Sequence, residues 1–214
     1  AIDTVLAKTM RYQREPESRS SYRQHALLAA EGENRYFFGE QLRSEVLSPN
    51  DVTYTRVYDA ECFNEQDGDA SCSHPLAEAP EYSVCSVANV GDAWQQQPPG
   101  LVAWLTHGSG AGAAAVMSSA LVQTLPTEHQ AMTFQASCLN SLPNGSNNLS
   151  SELLKGPVVA SVGATSISHG PGSPVPLAGT SGNAGMAYAY FDRLVAGRMA
   201  AGQALADLRQ AVAP

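Results

Sequence analysis

At 214 residues, with 43% hydrophobic and 15% charged residues, the chain has the composition of a globular protein and the length to bury a core. Its formal net charge of -8 argues against nucleic acid as a partner, because phosphates call for clustered Lys and Arg. No run approaches the roughly 18 consecutive apolar residues that span a bilayer, so no membrane span is expected.

The chain starts at Ala1 with neither an initiator Met nor a leader. We therefore expect a segment of a longer precursor, whose other domains are candidate partners. The opening AIDTVLAKTMRYQRE reads as a helix with Val5, Leu6 and Met10 on one face. HALLAAE (25–31) is a short apolar run of strand type, and RYFFGEQLRSEVL follows as a helix with Phe38, Leu42 and Val46 at spacing four. VTYTRVY (52–58) is the second strand. Residues 59–98 are acidic and irregular, too long for an ordinary connection, and are expected to be a Cys-containing insertion or long loop. LVAWLTH (101–107) is the third strand, and the Ala-rich AGAAAVMSSALVQTL after it reads as a helix. MTFQASC (132–138) and PVVASVGA (157–164) are the fourth and fifth strands. A Gly/Pro/Ser-rich loop, HGPGSPVPLAGTSGN, leads to two further helices, GMAYAYFDRLVAGRM and GQALADLRQAV. Near-continuous apolar strands alternating with helices predict one α/β domain over 1–214, with a mainly parallel sheet flanked by helices.

The four cysteines are Cys62, Cys72, Cys85 and Cys138, and three full pairings are possible. The first three lie close together in sequence, which suggests a local staple, Cys62 with Cys72 or Cys72 with Cys85. Such a staple implies an oxidising location outside the cytosol: extracellular, cell-surface or periplasmic. The spacings of 10, 2 and 11 among Cys62, Cys72, His74 and Cys85 do not match the usual short paired-ligand patterns, so no metal is expected.

Chemistry in parallel sheets gathers beyond the carboxyl ends of the strands. The first run ends at Glu31, the third at His107 and the fourth at Cys138. An imidazole can take the proton of a thiol or pair with the thiolate. A carboxylate can hold that imidazole in the required orientation. Gly108 lets backbone approach a substrate with no Cβ in the way. Taken singly, a strand-end Cys is more often a small buried hydrophobe and a lone Glu a solvated acid. The weight lies in the conjunction.

WLTHG and MTFQASC, with His107 and Cys138 31 residues apart, resemble the gingipain family of cysteine peptidases, part of the clan that also holds caspases and legumains. The opening VLAKTMRYQRE resembles the helix before that family's first catalytic strand. HALLAAEG resembles the strand whose terminal Glu assists the catalytic His, which falls on Glu31. PVVASVGATS resembles the strand and loop lining the substrate cleft, here Gly163, Ala164, Thr165 and Ser166. The resemblance implies a caspase-like three-layer sandwich and an endopeptidase that needs no cofactor and acts on protein or peptide substrates. In that scheme Cys138 attacks, His107 protonates the leaving amine, Glu31 orients His107, and the N–H groups of Gly108 and Cys138 form the oxyanion hole. It further implies cleavage after Arg or Lys, with Glu33 or Asp59 as the pocket carboxylate. The competing readings are a catalytically inactive module of the same fold used for binding or assembly, and a bare α/β scaffold carrying a chance Cys and His.

Overall fold

A computed structural model describes residues 2–32, 35–59, 76–143, 148–170, 175–180 and 182–211. Glu33, Cys62, Cys72 and His74 lie outside the described residues.

The elements run in chain order as α1 (Ile2–Arg14), β1 (His25–Ala30), α2 (Tyr36–Gln41) and β2 (Thr53–Tyr58), then α3 (Val87–Gln96) and β3 (Leu101–Leu105). A small meander follows, β4 (Gly108–Ser109), β5 (Gly112–Ala113) and β6 (Met117–Ser118), leading into the short α4 (Ser119–Val122). The chain then forms β7 (Ala131–Ala136), α5 (Leu149–Lys155), β8 (Val158–Gly163), α6 (Asn183–Val195) and α7 (Ala201–Ala211). The five long strands make one sheet in the order β2-β1-β3-β7-β8, and every pair in it is parallel. All five strands expected from the apolar runs are present, within two residues at each end.

Alternation along β1 and β3 divides the core. Leu28 and Leu105 face a layer containing Leu42, Val46, Tyr190 and Phe191. Leu27 and Trp104 face the opposite layer, with Val90, Trp94, Met117 and Leu153. Both faces are covered, which is why the strands read as continuous apolar runs rather than alternating ones. Helix starts carry local signals: Ser86 accepts from Asn89 N–H at α3, and Asn148 accepts from Ser151 N–H at α5.

Three expectations change. The Ala-rich stretch 111–125 is not one helix but the β4–β6 meander followed by the single turn of α4. Gly112 weakens such a helix by about 1 kcal/mol. Ala115 sits in the left-handed region at φ 54° and turns the chain back. The turn lets Val116 and Met117 bury completely, at 0% and 1% exposure. Helix α1 forms, but Leu6 and Met10 are 56% and 47% exposed. Its buried residue is Lys8, whose Nζ donates to the carbonyls of Leu154 and Gly156 at the end of α5. Finally, the expected loop 59–98 ends in α3, and Cys85 within it is a free, buried thiol, while Cys62 and Cys72, the other cysteines of the expected staple, lie outside the described residues.

Candidate functional site

Strand register sets the site. Leu105 of β3 pairs with Ala30 of β1 on one side and Ala136 of β7 on the other. Gln135 pairs with Gly163 of β8. Glu31, His107, Cys138 and the 164–166 segment therefore all emerge at the carboxyl edge of one sheet.

The loops bearing His107 and Cys138 are in contact through Gly108. A Cβ at this position would fall 2.4 Å from the carbonyl oxygen and 2.8 Å from the nitrogen of Cys138. Only glycine fits, so the residue after His107 lies against the backbone of Cys138. The floor beneath is tied by a buried chain of hydrogen bonds. Trp104 Nε1–H donates to Ser137 Oγ at 3.1 Å, and Ser137 Oγ–H donates to Asn140 Oδ1. Asn140 Nδ2 donates to the carbonyls of Ser109 (2.6 Å) and Gly112 (2.9 Å). This network links the strand carrying the thiol to the meander after the imidazole.

Cys138 is half-buried. Its Sγ lies 3.2 Å from the Ser168 carbonyl, and the Ser168 hydroxyl approaches it at 3.7 Å. After Cys138 the backbone turns in the left-handed region at Leu139, φ 60°. Leu139 N–H then donates to Ser166 O at 3.2 Å and Ser141 N–H to Ala164 O at 3.0 Å. The 164–166 stretch is thus laced to the loop after Cys138, with Thr165 and Ser166 exposed. A Cβ on Gly163 would meet Ser141 Oγ at 2.6 Å, so that glycine permits the close approach. Among the described residues the Cys138 N–H has no protein acceptor.

The expected contact between Glu31 and His107 is not direct. Arg35 stands between them. Its Nη1 is 2.9 Å from Glu31 Oε2, and its Nη2 is 2.7 Å from His107 Nε2. The Thr106 hydroxyl lies 2.9 Å from the same Glu31 oxygen. A guanidinium only donates, so Nε2 accepts, and the imidazole's proton sits on Nδ1. Four residues separate Glu31 and Arg35, a spacing that signals acid–base pairing on a helix, and it is the one sequence cue to Arg35. Ser168 and Asn140 carry no such cue.

Asp59 has a different setting. Its Oδ2 accepts from Gly32 N–H at 2.9 Å and its Oδ1 from Cys85 N–H at 2.7 Å. Gly32, at φ 85°, makes the turn after β1, and Asp59 holds that turn to the segment before α3. Cys85 lies in the same buried corner, and burial together with the Asp59 charge pushes its thiol up to about 12. A thiol raised so far stays protonated at neutral pH.

A cavity of about 390 Å³ opens beside His107 on the meander side. Its walls include Val87, Ala113, Met117 and Ser118. Together these groups can supply a thiol, an imidazole, a free backbone N–H and an adjoining recess, the parts that acyl transfer requires.

The family model for peptidase family C25 matches residues 1–213. Among solved structures, that of the Arg-specific cysteine proteinase gingipain R superposes with a TM-score of 0.60 at 16% identity, covering 78% of this chain. The chain spans 38% of the length of that structure. No curated protein sequence matches significantly.

Proposed function

We propose that this chain, which belongs to peptidase family C25, the gingipain family of cysteine peptidases, is an endopeptidase whose nucleophile is Cys138. The observation that carries the reading is the contact of Gly108 with the backbone of Cys138, which sets imidazole and thiol loops side by side on neighbouring strands.

In the proposed cycle the Cys138 sulfur adds to the scissile carbonyl, and the Cys138 N–H, joined by that of Gly108, stabilises the oxyanion. The thiol proton passes to His107, and His107 returns it to the leaving nitrogen as the C–N bond breaks. Water then attacks the thioester, giving the free acid and restoring the thiol. His107 cannot begin this cycle while its Nε2 lone pair accepts from Arg35 and its Nδ1 already bears a proton. The guanidinium must first withdraw, leaving Glu31 to face the imidazole. The substrate-free arrangement is therefore a resting one.

For P1 we infer a basic residue, on three grounds: the resemblance to gingipains, the specificity named for gingipain R, and a net charge of -8. The charge steers encounter without building a pocket. Both Asp59 oxygens are committed to backbone N–H groups, which favours Glu33 as the pocket acid. Export is supported by the family resemblance. A non-catalytic module draws support from one observation, the Arg35 contact that occupies His107.

The test is covalent labelling with an Arg-bearing peptidyl acyloxymethyl ketone, alongside cleavage of a peptide library varied at P1. Labelling of Cys138 and a basic P1 profile are expected. A profile peaking at acidic or small residues would remove the basic pocket and leave the nucleophile standing.

A further inference from the structure

The cavity beside His107 has a definite place relative to the thiol. Its lining includes His107, Gly112, Ala113, Met117, Ser118 and Val87, but not Cys138. Ala113 and Met117 belong to the core layer on one face of the sheet. Cys138 Sγ instead touches Ser168, in the loop that leads to α6 on the other face. The thiol thus lies toward one face of the sheet and the cavity toward the other, and His107 is part of the cavity wall.

The chemistry assigns the two sides. The sulfur keeps the acyl half of the substrate, and the imidazole gives its proton to the nitrogen of the departing half. The residue carrying that nitrogen lies beyond His107, away from sulfur, which is where the cavity opens. We propose, resting on the peptidase reading above, that this cavity is the subsite for the residue immediately after the scissile bond, and that it takes an uncharged apolar side chain such as Val or Leu.

Size and lining support this. About 390 Å³ is room for one medium side chain with its backbone, not an extended segment. Among the described residues, no Asp, Glu, Lys or Arg lines the cavity. His107 aside, a carboxylate or ammonium entering it meets no group of opposite charge among those residues, while Val87, Ala113 and Met117 offer apolar side-chain contact. Gly112 lets β5 and β6 approach closely beside the cavity: a Cβ there would meet Met117 O at 3.0 Å. The meander thus presents small residues beside the imidazole, where the Ala-rich sequence had suggested a helix.

The test uses internally quenched peptides of fixed P1 Arg with P1′ as Val, Leu, Ala, Asp or Lys. Cleavage is measured with the wild-type chain, and affinity by fluorescence anisotropy with Cys138→Ala. Val and Leu should exceed Asp and Lys by about tenfold or more in both readouts, the scale on which an apolar pocket rejects a mismatched group. Val87→Asp, at the first turn of α3 where an acid is tolerated, should narrow or reverse the gap between Leu and Lys. A flat or charge-preferring affinity profile overturns the subsite. Absence of cleavage by the wild-type chain, with the apolar preference retained in binding, overturns the peptidase reading and leaves the subsite standing.

Discussion

Among single side chains, Arg35 is the one that must leave His107 before the proposed cycle can begin. It bridges Glu31 and His107 at 2.9 and 2.7 Å, and its side chain is 27% exposed. A partly exposed ion pair is worth about 0–1 kcal/mol, up to roughly fivefold in rate. Arg35→Ala should therefore raise the iodoacetamide alkylation rate of Cys138 about two- to fivefold, with Cys85 unreactive throughout. A fall in that rate of tenfold or more, accompanied by a matching loss of kcat, would mean that Arg35 holds the imidazole productively. His107 and Cys138 are legible in sequence because each ends an apolar run beside small residues. Arg35 is not, because its position depends on the turn at Gly32 returning the chain across the strand end. The setting of Asp59 is hidden for a related reason. Nothing local indicates that its carboxylate is taken up by the N–H groups of Gly32 and of Cys85, 26 residues away.

Among elements, the strands are the most readable. Burial on both faces leaves β1 and β3 almost no polar positions, and short runs of that kind, bounded by turn residues, mark the strands of a covered parallel sheet. The meander at 108–118 is unreadable by propensity, since Ala favours helix while the burial of Val116 and Met117 requires a turn at Ala115. Helix α1 shows the same override by tertiary contact. Its apolar stripe predicts docking through Val5, Leu6 and Met10, yet Leu6 and Met10 are exposed and its buried residue is Lys8, with Tyr12 holding Arg23. Burial, with Arg11 adding to it, lowers the Lys8 ammonium to about 8. Two carbonyls of the α5 terminus depend on it. Lys8→Met should cost about 1.5–3 kcal/mol, the range for hydrogen bonds to a charged group, and should raise amide exchange selectively in α1 and at 154–156. Unchanged stability in urea, with unchanged exchange, would show that α1 is held by other contacts.

Over the whole molecule, the sheet carries the proposed site at its carboxyl edge and buried polar support at its amino edge. There His25 is 3% exposed. Its Nδ1 lies 2.9 Å from Thr53 Oγ1 and its Nε2 3.1 Å from Thr55 Oγ1. Burial lowers its pKa below the ordinary 6.5, against an opposing pull from Glu81. Below 6.5 the unfolded chain takes up a proton that the folded chain resists, so stability present above 6.5 is lost as pH falls through the folded value. His25→Gln should flatten that part of the urea-denaturation profile between pH 7 and 5, and an unaltered slope would assign the loss to other groups. The fold class and the placement of His107 and Cys138 just beyond two neighbouring strands can be read from sequence because they follow from local patterning. The bridge through Arg35, the free state of Cys85 and the cavity beside His107 cannot, because each depends on segments brought together from distant parts of the chain.

Whether Cys138 is a nucleophile activated by His107 is decided by intact-mass analysis and peptide mapping after reaction with the Arg-bearing acyloxymethyl ketone. One adduct per chain is expected, on Cys138, abolished by Cys138→Ala and strongly slowed by His107→Ala. An adduct on Cys85 instead, or equal labelling of wild type and His107→Ala, would contradict that assignment.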